Sequence, residues 1–289
     1  MRVTQSMLSN NTLRNLSNTY SKLQTLNNQI ATGKKFTKPS DDPVAAMNAI
    51  GYRTDLNQIQ QYQENIATVK NWTDTTDDAL NSVNNVLQKI RELTVQASNG
   101  TYEESQRSYI AEEIKQLHNE IISISDTKIG GKYIFGGTKT DVKPSDDYTK
   151  ATGEMNIQVF NGITLPLNME GASIFGEMVG QDGVLQDLIN TLENGGSEEE
   201  IASFLTKIDE QMDLVLGKMS VVGARQNRVE LMDDRLSNQE VFSTRILSDN
   251  EDIDLERVAI DLTAQESILN ATLASGASII QPTLLDFLR

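Results

Sequence analysis

His118 is the only histidine in the chain, and no cysteine is present to join it. A cysteine nucleophile, a thiolate zinc site and a disulfide scaffold are therefore excluded. His118 follows Leu117 at the flank of a helical stripe. It is read as a solvated or stripe-edge residue, because nothing nearby completes a catalytic pair. Residues 249–256 are acidic enough for a calcium loop, but they lack its sixth-position glycine and twelve-residue ladder of ligands. They are read as a junction between helices. The glycine pairs in Gly130-Gly131-Lys132-Tyr133-Ile134-Phe135-Gly136-Gly137 lack the spacing of a dinucleotide fingerprint and open no helix, so they are turn residues. Met212 and Met219 fall at stripe positions, where core packing is the default over a cofactor box. Asp41 and Asp42 mark the start of a helix and not a metal site. The expectation is a protein with no catalytic residues, no metal and no cofactor.

The chain's 289 residues carry a net charge of −16. Nucleic acid and anionic membrane are thus disfavoured as partners, since no basic patch can form. No stretch approaches the roughly 20 apolar residues of a membrane span, and the first thirty residues show no cleavable signal peptide. Aromatics make up only 5% of residues, which favours long helices with narrow apolar stripes over one thick core.

The elements follow from apolar spacing. A first helix is expected over 6–32, with Leu13, Leu16, Tyr20, Leu23, Asn27 and Ile30 at alternating steps of three and four. The same rhythm recurs near the other end in Leu255, Val258, Leu262, Gln265, Leu269 and Thr272. Each rhythm draws a seam that needs a partner helix, either the other terminus or another copy of the chain. Asn27 either is buried in such a seam, fixing register and partner number, or faces solvent in the monomer. Gly33, Lys34 and Lys35 stop the first helix. In Lys38-Pro39-Ser40-Asp41-Asp42-Pro43, Pro39 forces an extended connector, Asp42 caps the next helix and Pro43 fits its first turn.

Helical spacing then runs over 44–98, as one helix or as two broken at 72–78, where Thr and Asp cluster. Unbroken, this helix would be about 80 Å long. Another helix carries Ile110, Ile114, Leu117, Ile121 and Ile124. Residues 155–159 and 163–167 read as strands joined by the Asn161-Gly162 hairpin signal. Helix resumes near Val184, turns at Asn194-Gly195-Gly196-Ser197, and continues from the acidic first turn Glu198-Glu199-Glu200 to about Leu247 with a stripe of Leu205, Ile208, Met212, Val215, Met219 and Val222. An interruption at 248–252 precedes the last helix, and Leu284-Leu285-Asp286-Phe287-Leu288 forms a final apolar tag.

The expected fold is mainly α. The terminal helices form a coiled coil from 1–41 and 252–289, a helical bundle is built from 42–136 and 183–251, and a small β-rich insertion occupies 137–182.

Several of these segments resemble the bacterial flagellin superfamily. Ile30-Ala31-Thr32-Gly33-Lys34-Lys35, followed by Pro39-Ser40-Asp41-Asp42-Pro43, is similar to its N-terminal signature, as is the run from Ile90 through Thr101. Val222-Gly223-Ala224-Arg225-Gln226-Asn227-Arg228 and Asp252-Ile253-Asp254 resemble its C-terminal half. The Pro-Ser-Asp-Asp-Pro connector, Tyr133-Ile134-Phe135-Gly136-Gly137-Thr138, and the ending with Leu285, Asp286 and Phe287 resemble the superfamily's hook-associated junction branch more than flagellin.

This resemblance implies a structural part of the flagellum, located outside the cell and exported without a cleavable signal peptide. The implied partners are copies of the chain in a ring or helical array, the hook-side junction protein, flagellin and an export chaperone. It also implies that the terminal seams order on assembly. The alternatives are a filament subunit, a cytosolic coiled-coil scaffold and, last, an enzyme.

Overall fold

The computed structural model describes residues 5–99, 104–180 and 183–280. Among them the fold is mainly helical, with two small antiparallel hairpins. The chain divides into two compact units, residues 1–58 with 240–289, and residues 59–239.

In the first unit, α1 (Gln5–Thr32) packs against α7 (Leu255–Ile280). The pair is antiparallel: Thr12 lies beside Gly276 near one end, and Lys34 bridges to Asp252 at the other. Gly33 stops α1 in the left-handed conformation (φ 71°) that a Cβ would strain. Asp42 caps α2 (Pro43–Ala97), its Oδ1 accepting from the backbone N–H of Val44 at 3.1 Å and of Ala45 at 2.9 Å. Asp41 closes the turn before it, Oδ2 accepting from the N–H groups of Thr37 and Lys38.

The second unit is built on the longer parts of α2 and α6 (Glu198–Glu251). Buried positions on α2 alternate by three and four through Ile59, Tyr62, Ile66, Val69, Thr73, Thr76, Leu80, Val83, Leu87 and Ile90. Of the two readings of 72–78, the unbroken helix is the one found. Thr73 and Thr76 occupy seam positions, and their hydroxyls donate to the carbonyls of Val69 and Trp72 at 2.7 Å, so neither hydroxyl is stranded in the core. On α6, Ile201, Ile208, Val215, Val222, Val229 and Leu236 recur every seventh residue and are all buried. A reciprocal capping box starts this helix: Ser197 N–H donates to Glu200 Oε2 (2.9 Å) and Glu200 N–H to Ser197 Oγ (3.2 Å). α6 runs to Glu251, so the interruption expected at 248–252 is confined to 252–254, where Asp254 Oδ1 caps α7 through Arg257 N–H.

Helix α3 (Glu104–Ser125) buries Ile110, Ile114 and Ile121, as its spacing predicts. Strands β1 (Lys128–Ile129) and β2 (Lys132–Tyr133) form a minimal hairpin around the first glycine pair. Strands β3 (Asn156–Phe160) and β4 (Ile163–Pro166) pair antiparallel around Asn161-Gly162 with a bulge near Phe160. Val159 and Leu165 of this hairpin pack into the same core as Ile59, Ile66, Val229 and Leu236.

The 137–182 segment holds more helix than expected: 3-10 turns at Pro144–Asp146 and Tyr148–Lys150, then α4 (Ala172–Val179), all before α5 (Val184–Glu193). α4 is apolar on most sides and only two turns long, so it carries too few residues to show a period. Phe175 of α4 meets Phe135 edge to face, with ring centroids 5.0 Å apart. Gly137 (φ 63°) lets the chain turn there, where a Cβ would lie 2.4 Å from the Thr152 carbonyl oxygen.

Candidate assembly surface

The terminal helices place their predicted seam residues on two faces. Toward α7, α1 presents Thr12, Leu16, Thr19, Leu23, Leu26 and Ile30, again at alternating steps of four and three. Leu16, Leu23 and Ile30 thus lie inside, and Leu23 is the most buried of them at 8% exposure. Leu13, Tyr20 and Asn27 do not: Leu13 is 55% exposed and Tyr20 52%, and Asn27 faces solvent. Two heptad readings share 16, 23 and 30, and apolarity favoured the one through 13 and 20. Packing uses the other, because Thr19 satisfies its own hydroxyl on the Asn15 carbonyl at 2.9 Å. On α7, Val258, Leu262, Gln265, Leu269 and Thr272 turn inward as expected, whereas Leu255 is 59% exposed. The hairpin therefore keeps an inner seam and leaves Leu13, Tyr20, Leu255, Ile260, Ile268 and Leu273 exposed around it.

At the Gly33 end of the hairpin the helix ends are fastened together. The Lys35 N–H donates to the Glu251 carbonyl (2.6 Å) and the Ile253 N–H to the Gly33 carbonyl (3.0 Å). Glu251 turns its carboxylate inward, where Oε2 accepts from Lys34 Nζ at 2.6 Å and Arg53 Nη2 at 2.7 Å. Burial pushes this carboxyl up, but the two cations outweigh burial and hold it below the usual range. Asn250 Nδ2 donates to the Ala45 carbonyl at 2.9 Å. Sequence reading passed over Glu251 because it looked like one more acid in a polar linker. Its signal is the Lys34-Lys35 pair, which lies 217 residues away from it for Lys34.

The remaining motif residues are structural. Pro39 and Ser40 form the exposed turn that Asp41 closes, and Pro43 opens α2. Leu285, Asp286 and Phe287 lie outside the described residues. Arg225 ties α6 to the β3–β4 region, donating to the Asn168 carbonyl at 3.0 Å and to Glu154 Oε1 at 3.1 Å. His118 is buried and not solvated, since α4, absent from the sequence reading, covers it and bonds it through the Val179 backbone. That burial lowers its pKa. Among the described residues no group of three His, Asp or Glu is placed to hold a metal, and no helix is long and apolar enough to cross a membrane.

Residues 3–140 match the bacterial flagellin N-terminal helical region. Flagellar hook-associated protein 3 of Escherichia coli is 26% identical, over 94% of this chain and 95% of its own length. The flagellin of Bacillus subtilis is 25% identical over 97% of each. Among solved structures, a flagellar hook-associated protein from Vibrio parahaemolyticus superposes with a TM-score of 0.66 at 28% identity, over 73% of this chain and 100% of that one. FlgL of Bacillus cereus superposes with a TM-score of 0.60 at 25% identity, over 68% and 99%. In fold, in motifs and along nearly its whole length the chain is similar to proteins of the bacterial flagellin superfamily, flagellar hook-associated protein 3 among them.

Proposed function

We propose that this chain is a structural subunit of the bacterial flagellum that joins the hook side to the flagellin filament. The observation that carries this reading is its similarity to hook-associated protein 3 over 94% of the chain, together with an outer apolar face on the terminal hairpin. Association with other flagellar components follows from that kinship. The specific neighbours are copies of the chain in a ring or helical array, the hook-side junction protein and flagellin, with an export chaperone before assembly. Contacts of this kind are head-to-tail and build arrays instead of closed dimers. The terminal segments 1–41 and 252–289 serve as the assembling part, 42–136 with 183–251 as the supporting bundle, and 137–182 as the outer portion. Catalysis has no part in this role. Export proceeds through the flagellar channel without a cleavable signal peptide, a route on which an absence of cysteine avoids premature disulfides.

Immunogold labelling of an epitope-tagged chain on isolated flagella tests the reading. One band of label at the hook–filament boundary is the expected result. Label along the whole filament supports the second reading, a filament subunit, which the similarity to Bacillus subtilis flagellin over 97% of the chain favours. Label retained inside the cell contradicts both.

A further inference from the structure

A groove of about 610 Å³ opens beside the fastened helix ends, within the first unit. Its floor is apolar, made by Phe36, Pro39, Ala46, Ala49 and Ile50. The apolar surface continues beyond it along α2, where Val44, Met47 and Ile50 are all more than 60% exposed. Its rim is cationic, with Lys34, Lys38 and Arg53 against the single carboxylate of Glu251. In a chain of net charge −16 such a rim is unusual. Glu251 is 97% buried, and while its Oε2 takes both cations, its Oε1 has no hydrogen-bond partner.

One segment of this chain has matching chemistry: Leu284-Leu285-Asp286-Phe287-Leu288, four apolar side chains around one acid. It cannot reach the groove of its own chain. α7 runs antiparallel to α1, so Ile280 lies at the end of the hairpin opposite Lys34 and Asp252. The helix between Asp252 and Ile280 spans about 40 Å at 1.5 Å per residue. Four residues of chain beyond Ile280 extend at most about 14 Å, and eight about 28 Å. Only a second copy, displaced along the hairpin, can bring its apolar tag to this groove.

We infer that the connector groove of one copy receives the 284–288 segment of another. Leu285 and Phe287 meet the apolar floor, and Asp286 faces the Lys38 and Arg53 rim. The contact joins one surface to a different one, so it propagates copies in one direction and does not close a dimer. It deepens the reading of the chain as an assembling subunit, and rests on it.

The absence of cysteine makes the test clean. Full-length Thr37→Cys, at the groove, is mixed with full-length Thr283→Cys, beside the tag, and oxidised with diamide. Glu113→Cys, exposed on α3, replaces Thr37→Cys in the control mixture. The 37–283 link is expected at least about tenfold faster than the 113–283 link, equivalent to about 1.4 kcal/mol of preferential contact. Adding Ile50→Asp or Phe287→Asp should return it to the control rate; Ile50 is exposed, so its fold survives the change. Equal rates in the two mixtures overturn the contact. So does a fast link inside a dilute Thr37→Cys/Thr283→Cys double variant, which would place the tag in its own groove. A tagged chain that still labels the hook–filament boundary while the rates are equal keeps the flagellar role and loses only this contact.

Discussion

Desolvation alone would raise the Glu251 carboxyl, yet Lys34 and Arg53, each within 2.7 Å, pull it below the usual range. A group that titrates lower in the folded state contributes its full stability above the unfolded carboxylate value, near about 4.3, and loses it as pH falls through the folded value. Acid below about pH 4 should therefore loosen the junction of helix ends before the buried apolar seams give way. Exchange of the Lys35 and Ile253 amides, whose bonds cross the junction, reports it directly. Glu251→Gln should abolish that acid dependence and lower the local opening free energy by about 1–2 kcal/mol, the smaller side of a charged hydrogen-bond loss because both cations keep water. Retained acid dependence in this variant would place the titrating group elsewhere. Gly33, Asp42 and Pro43 act locally, through a positive φ or at the first turn, and were legible in the sequence for that reason. Glu251 was not, since its role depends on groups 198 and 217 residues distant.

At the level of elements, the seam of α1 separates two functions that share one helix. Leu23→Asp puts a charge where only 8% of the side chain is exposed, so the α1–α7 pair should open and its amides lose protection. Leu13→Asp alters a residue that is 55% exposed, and should leave the hairpin closed while blocking incorporation into flagella. Leu269→Asp, half-buried on α7, should abolish incorporation and leave the second unit folded. Trp72, the single tryptophan, is buried in that unit, so its emission should be unchanged in all three variants. Leu80→Ala, by contrast, should cost the second unit about 2–5 kcal/mol and move the midpoint that Trp72 reports in a denaturant titration. An equal loss of hairpin protection in Leu13→Asp and Leu23→Asp would show that the inner seam is not the one drawn by burial.

The long helices were readable because their period persists for many turns, as in Leu80, Val83, Leu87 and Ile90 on α2. The choice between 12/19 and 13/20 on α1 was not, because apolarity favours Leu13 and Tyr20 while partner geometry favours Thr12 and Thr19. Helix α4 escaped for lack of length, and with it the burial of His118.

For the whole molecule, similarity to flagellar hook-associated protein 3 along 94% of the chain supports a part that works by being incorporated. Its two termini are paired with each other yet still present Leu13, Tyr20, Leu255 and Ile260 outward, so the monomer leaves apolar surface that neighbours can bury. The central claim is that this chain connects hook to filament. Deletion of its gene, followed by electron microscopy of the cells and a flagellin assay of the medium, tests it most directly. Bare hooks with flagellin shed into the medium are the predicted result. Intact filaments on swimming cells would contradict it.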